Sequence, residues 1–218
     1  MARTADKLIS DIRKEVSSGI LKPGDQLEVN ALAERFGVSR TPIREAIRTL
    51  VESGVLETRP RKGSFVRVLS AKQLLDLFQV AAELEGMACR LAALSLTKEN
   101  VEAIERGLAK CIQAAEVQNN AEYAMANLDF HTAIHNASGN DWLIEQLRQL
   151  QINLNSYRTM PYEIRGRLKK STDEHKIICD AILSGDGEHA CNLMRDHMML
   201  QGKRLPSIIA TLEQQKNN

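Results

Sequence analysis

Aromatic side chains make up only 4% of the 218 residues. That is too few for a platform that holds single-stranded nucleic acid by stacking bases on aromatic faces. Long apolar runs are missing as well, because Glu83, Glu85 and Arg90 interrupt the longest candidate short of the ~18 residues that a membrane span needs. The opening MARTADKLISDIRK lacks the apolar core of a secretory signal, which predicts a cytoplasmic protein with no membrane partner. Four cysteines, at 89, 111, 179 and 191, form no C-x-x-C pair and sit in helix-like runs. This pattern favours buried thiols in a reducing compartment over a disulfide framework or a zinc knuckle. The chain also has no internal repeat and no low-complexity tract.

What is present is an ordinary globular composition, 43% hydrophobic and 26% charged, in a chain long enough for two domains. The net charge of +1 averages two unlike parts. Residues 1–70 carry 13 Lys+Arg against 9 Asp+Glu, net +4, and residues 71–218 carry 16 against 19, net −3. A basic first third joined to a mildly acidic remainder points the first part toward an anionic partner.

Leu8, Ile12 and Val16 recur four apart between Thr4 and Ser18, the pattern of an amphipathic helix. Lys22-Pro23-Gly24-Asp25 marks a turn, and a second helix is predicted over Val29–Phe36, ending at Gly37. A third follows after two residues. Ser39 is its expected cap, Pro42 falls in its first turn, and Ile43, Ala46, Ile47 and Leu50 form its buried face. Two β-like runs, Val55–Thr58 and Ser64–Val68, flank the basic turn Arg59-Pro60-Arg61-Lys62-Gly63 and read as a hairpin.

From Ala71 the pattern is helix after helix, predicted at 71–96, 99–118, 120–138, 141–159, 163–185 and 187–214, which suits an antiparallel bundle able to house a ligand. The predicted fold is therefore mainly α. It comprises an N-terminal winged helix-turn-helix with a small β-hairpin wing over 1–68, a linker over 69–72, and an all-α bundle for effector binding over 73–218.

Arg40, Arg44 and Arg48 recur every four residues opposite the apolar face of the third helix. A guanidinium can bond guanine O6 and N7 together, so an arginine ridge beginning at a helix N-terminus suits major-groove reading. The hydroxyls of Ser39 and Thr41, with the free N–H groups of the first turn, suit phosphate oxygens. Arg59, Arg61 and Lys62 flank Gly63, a tip residue small enough to approach a minor groove.

The run LAERFGVSRTPIREAIRTLVESGVL, followed by RPRKGSFV, resembles the DNA-binding domain of the GntR superfamily of bacterial transcription regulators over about residues 4–68. The resemblance implies that Arg40 and Arg44 touch bases, that Ser39 and Thr41 help hold phosphate, and that Gly63 lies at the wing tip. It further implies homodimers on a two-fold-symmetric double-stranded operator.

Three histidines sit on apolar faces of separate predicted helices: His131 near Leu128 and Ile134, His175 near Ile178 and Ile182, and His197 near Met194 and Leu200. One such residue is ordinarily a hydrogen-bonded core histidine, whereas three turned into one bundle interior make a metal-ligand set. Asn127 lies one turn before His131 on the same face. Asp129 points to another side, His135 is placed to line the cavity rather than ligate, and His189 is expected to be exposed.

The segments ELEGMACRLAA, FHTAIHNASGN and EHKIICDAILSGDGEHA resemble the effector domain of the FadR-like branch of that superfamily, across most of residues 71–205. The resemblance implies that Asn127, His131, His175 and His197 hold a divalent ion such as zinc or nickel. Many relatives carry Asp at the position of Asn127, and a neutral oxygen binds a hard cation less strongly than a carboxylate. A small carboxylate effector would take the open positions on the ion, with Arg148, Tyr157, Arg158 and His135 as its candidate partners.

These readings point to a ligand-responsive regulator. A metal-dependent enzyme is the rival, disfavoured because no H-E-x-x-H occurs and no acidic residue is placed beside the ligands. Glu174, about 100° around the helix from His175, should face elsewhere. A DNA-binding protein with a purely structural metal is the third reading.

Overall fold

The computed structural model describes residues 2–17, 19–158, 162 and 166–200. The chain divides into two compact units, Met1–Leu69 with Gln151–Ser156, and the remainder.

In the first unit, α1 (Ala2–Ser17), α2 (Val29–Phe36) and α3 (Arg40–Glu52) accompany three short strands, β1 (Gln26–Leu27), β2 (Leu56–Arg59) and β3 (Gly63–Val66). Leu8, Ile12 and Val16 of α1 share a core with Leu32 of α2 and with Ile43, Ala46, Ile47 and Leu50 of α3. These three- and four-residue spacings put the buried side chains of each helix on one side, so the opposite side of α3 is left to polar residues. The turn between α2 and α3 depends on Gly37, whose φ of 64° is left-handed. Its neighbour Val38 donates its N–H back to the carbonyl of Ala33 at 3.1 Å.

Ser39 occupies the N-cap position of α3, but its hydroxyl makes no capping hydrogen bond, contrary to the expectation from sequence. The sheet has the order β1-β3-β2, all antiparallel. The hairpin of β2 and β3 is legible in the sequence. The two-residue β1 is not, since two residues carry no alternation to detect.

The second unit is helical: α4 (Ala71–Leu94), α5 (Lys98–Glu116), α6 (Asn120–Ala137), α7 (Asp141–Arg158) apart from its segment Gln151–Ser156, which belongs to the first unit, α8 (Arg167–Leu183) and α9 over 187–200. A capping box starts α4, with the Ser70 hydroxyl accepting from the Gln73 N–H and the Gln73 side chain accepting from the Ser70 N–H. The helix starts at Ala71, where the sequence pattern places its beginning. The expected continuation of the last helix to 214 lies outside the described residues.

Two glycines allow close helix approaches that small side chains alone would not. A Cβ on Gly107 of α5 would stand 2.8 Å from the Phe130 Cα of α6, and one on Gly86 of α4 would meet the Cys191 carbonyl oxygen of α9 at 3.0 Å. Both approaches bring backbone beside histidine- or glutamate-bearing turns. All four cysteines are free and buried. Burial pushes the Cys111 thiol up to about 12 and the Cys179 thiol up to about 11, so these are inert core groups. No described helix is long and apolar enough to cross a membrane.

Candidate DNA-reading face and metal centre

On α3 the burial of Ile43, Ala46, Ile47 and Leu50 leaves Arg40, Thr41, Arg44 and Arg48 exposed on the other side. Among the described residues Arg40 and Arg44 have no ion-pair partner, while the Arg48 Nε donates to Glu52 Oε1 at 2.9 Å one turn on. The ridge therefore presents two uncommitted guanidiniums and one that is tied back along its own helix. Ser39 lies beside the N–H groups that begin α3, its hydroxyl not used in capping.

In the hairpin, Pro60, Arg61 and Lys62 form the turn, and Gly63 is the first residue of β3, paired with Arg59. Arg61, in the turn, is held at a left-handed φ of 61°. Arg59 is folded back along the hairpin: its Nη2 donates to Glu57 Oε1 at 2.7 Å and its guanidinium lies 4.3 Å from the centre of the Phe65 ring. Exposed Arg61 and Lys62 carry the free positive charge of the wing.

In the helical unit the buried face of α6 mixes Tyr123, Phe130 and Ile134 with Asn127, His131 and His135. Buried polar groups of this kind are the informative ones, since a helix face packed in a core normally excludes them. His131, His175 of α8 and His197 of α9 are each at most 1% exposed, and their ligand nitrogens lie within 4.8 Å of one another. The Nε2 atoms of His175 and His197 are 3.3 Å apart. A tetrahedral ion with bonds of the usual zinc–imidazole length separates its donor nitrogens by about 3.3–3.4 Å.

The outer nitrogens are taken by carboxylates. His131 Nδ1 donates to Glu85 Oε2 at 2.9 Å and His197 Nδ1 donates to Glu174 Oε2 at 2.7 Å. When the ring is neutral, each bond places its proton on Nδ1 and the lone pair on Nε2. Glu85 Oε2 also accepts from His135 Nε2 at 2.9 Å, which makes His135 a partner of the carboxylate, not of the ligand cluster. Burial pushes the Glu174 carboxyl up, but the hydrogen bond and charge of His197, with the charge of Arg167, outweigh it and hold it below the ordinary value. The buried Asn127 Oδ1 has no hydrogen-bond partner among the described residues. It is one helical turn from His131, so its orphaned oxygen and the imidazoles together fit a divalent cation.

Residues 4–66 match the family described as bacterial regulatory proteins, gntR family, and residues 76–199 match the FCD domain. The chain belongs to the gntR family of bacterial transcription regulators, with an FCD domain. It is 30% identical to the HTH-type transcriptional regulator McbR of Escherichia coli, over 95% of this chain and 92% of that one. It is also 30% identical to a probable D-xylose utilization operon transcriptional repressor of Paenarthrobacter nicotinovorans, over 84% of this chain and 80% of that one. The solved structure of E. coli McbR/YncC superposes with a TM-score of 0.81 at 28% identity, covering 98% of each chain. The matched relatives are regulators, which decides against the enzyme reading of this gntR-family chain.

Several sequence expectations change on this scaffold. Arg148 is exposed and paired with Glu145 at 2.6 Å, so it belongs to the surface of α7. Tyr157 is buried, and the side chain of Arg158 lies outside the described residues. Asp129 pairs with Lys110 at 2.6 Å on the outside of α6, and His189 is exposed, both as expected.

Acidic residues do lie beside the imidazoles, contrary to expectation. Glu174 is one step off the His175 face, but that step turns it toward α9, where His197 waits. Glu85 had no signal at all in the sequence beyond a charge in the middle of an apolar run. Arg167 was missed too: its side chain is 3% exposed and 3.4 Å from Glu174, yet it sits in the basic run RGRLKK, where nothing marks one cation as buried.

Proposed function

We propose that this gntR-family regulator binds a two-fold-symmetric operator as a homodimer in the cytoplasm and responds to a small carboxylate effector through a metal centre in its FCD domain. Arg40 and Arg44 would read base edges, with Arg48 supporting them from the far end of the ridge. Ser39, Thr41 and the first N–H groups of α3 would hold phosphate, and Arg61, Lys62 and Gly63 would bring the wing to the backbone or minor groove. His131, His175, His197 and Asn127 would hold a divalent ion, zinc or nickel in character. Such an ion supplies an open position for a carboxylate oxygen.

The observation that carries this reading is the convergence of three buried imidazoles, two of them oriented through Nδ1 by carboxylates. Buried Arg167 is a better partner for the far end of an effector carboxylate than exposed Arg148, with Tyr157 retained as a lining group. Effector binding changes operator affinity only if the two DNA-binding geometries bind it unequally.

The test is metal analysis of the purified protein, its mass in solution, and operator titration with and without metal. A metal-free protein unable to take up zinc, or equal binding to operator and scrambled duplex, removes the corresponding half of the proposal. The near-complete burial of the imidazoles also favours a structural ion as a second reading. Chelation that lowers the melting temperature while leaving the effector response intact would select it.

A further inference from the structure

The proposed ligands of the metal centre bring no net charge: three imidazoles that bind through a lone pair, and the amide oxygen of Asn127. All four are at most 3% exposed. A divalent ion in such a place loses its water, and an interior of low dielectric demands opposite charge close by. The nearest source of that charge is one residue further out.

Glu85 comes from a different helix, α4, and is 1% exposed. Its Oε2 atom accepts from His131 Nδ1 and His135 Nε2, each at 2.9 Å. The two imidazoles grip one carboxylate oxygen from successive turns of α6, which fixes the carboxylate as well as the rings. The close approach at Gly86, where a Cβ would lie 2.8 Å from Arg195 Cγ and 3.0 Å from the Cys191 oxygen, sets the depth at which α4 carries Glu85. Glu174 plays a similar part at His197, but its carboxylate is shared with Arg167 at 3.4 Å and its side chain is 18% exposed. Its charge is thus partly offset by an arginine and partly by solvent.

We propose that Glu85 is the charge-compensating and positioning residue of the metal centre, supplying through His131 the negative charge that the ligands themselves lack. This rests on the metal reading above and adds a residue to it. His135 then has a defined part as the second clamp on Glu85.

Two substitutions separate the contributions of Glu85. Glu85→Gln keeps an oxygen able to accept from both rings and removes the charge; Glu85→Ala removes both. The measurement is zinc affinity of the full-length protein by competition with a chromophoric chelator, with melting temperatures recorded in chelator and in zinc. Glu85→Gln is expected to weaken zinc binding roughly 10- to 100-fold and to shrink the zinc-induced rise in melting temperature. Its metal-free melting temperature should match or exceed that of the unaltered protein, because a buried charge has gone.

A merely structural Glu85 would give the reverse: a lower metal-free melting temperature with undiminished zinc affinity. That result overturns the inference alone. An unaltered protein that takes up no zinc overturns the inference together with the metal reading. Should Glu85→Gln fail to fold, His135→Gln provides the second probe, since loosening the clamp on Glu85 must also weaken zinc binding, and unchanged affinity in that variant overturns the proposal.

Discussion

His175 and His197 bring their Nε2 atoms to 3.3 Å from each other across two helices. His197 carries its ring proton on Nδ1, where Glu174 accepts it at 2.7 Å, so two nitrogen atoms face each other with at least one lone pair between them. Zinc added to metal-free protein is expected to raise the melting temperature, by an amount equivalent to about 2.7 kcal/mol at a free concentration 100 times the Kd. His197→Ala should abolish that rise. Calorimetric scans with and without zinc, on both proteins, decide the matter.

Protons compete with the ion for the same imidazole lone pairs. Zinc affinity is therefore expected to fall as pH is lowered, and steeply, since His131, His175 and His197 must all be unprotonated to bind. Glu174 adds a separate contribution. Its folded-state carboxyl lies below the ordinary value, so it stabilises the fold at pH above that ordinary value and the stabilisation is lost as pH falls through the lowered one. Melting temperature measured against pH in chelator should show an acid decline that Glu174→Gln flattens.

The arginines of the first unit divide by their partners. Arg44, exposed and without an ion-pair partner among the described residues, is expected to contribute discrimination: Arg44→Ala should cost roughly 1–3 kcal/mol of preference for operator over scrambled duplex. Arg61 stands at the turn of the hairpin. Its replacement by Ala should weaken both duplexes about equally and reduce the salt dependence of binding by about one ion. Fluorescence anisotropy over a range of salt concentrations distinguishes the two patterns.

Gly107 tests the packing that presents His131. Alanine is ordinarily the better helix former by about 1 kcal/mol, but here its Cβ would lie 2.8 Å from a backbone atom of Phe130, which cannot step aside as a side chain can. Gly107→Ala is expected to destabilise the fold by roughly 1–3 kcal/mol despite its helix propensity, as read by urea unfolding. A neutral or stabilising result would show that α5 and α6 can move apart freely.

Much of this molecule is legible in its sequence where one helix face does one job. Ile43, Ala46, Ile47 and Leu50 mark the buried side of α3, so the arginines opposite can be assigned without a structure. The three histidines are found the same way, because each stands in a local apolar pattern that should exclude it. What periodicity cannot deliver is a contact between helices far apart in sequence. Glu85 and His131 are 46 residues apart, and nothing in either neighbourhood records the other. Glu174 fails for a subtler reason: one helical step from His175 is too far for that side chain's neighbours and just far enough to reach the next helix. Arg167 is hidden in a run of like charges, where the neighbouring Lys169 and Lys170 are exposed and it is buried.

The run from Ala71 to Glu85 contains neither glycine nor proline and is one unbroken stretch of α4. At 1.5 Å per residue it spans about 21 Å. One end is pinned by the capping box at Ser70, four residues after the last strand of the wing, and the other holds the carboxylate gripped by His131 and His135. An unbroken helix of this length has no glycine or proline hinge between its ends. The cap at Ser70 and the carboxylate that His131 and His135 hold therefore belong to one continuous helix.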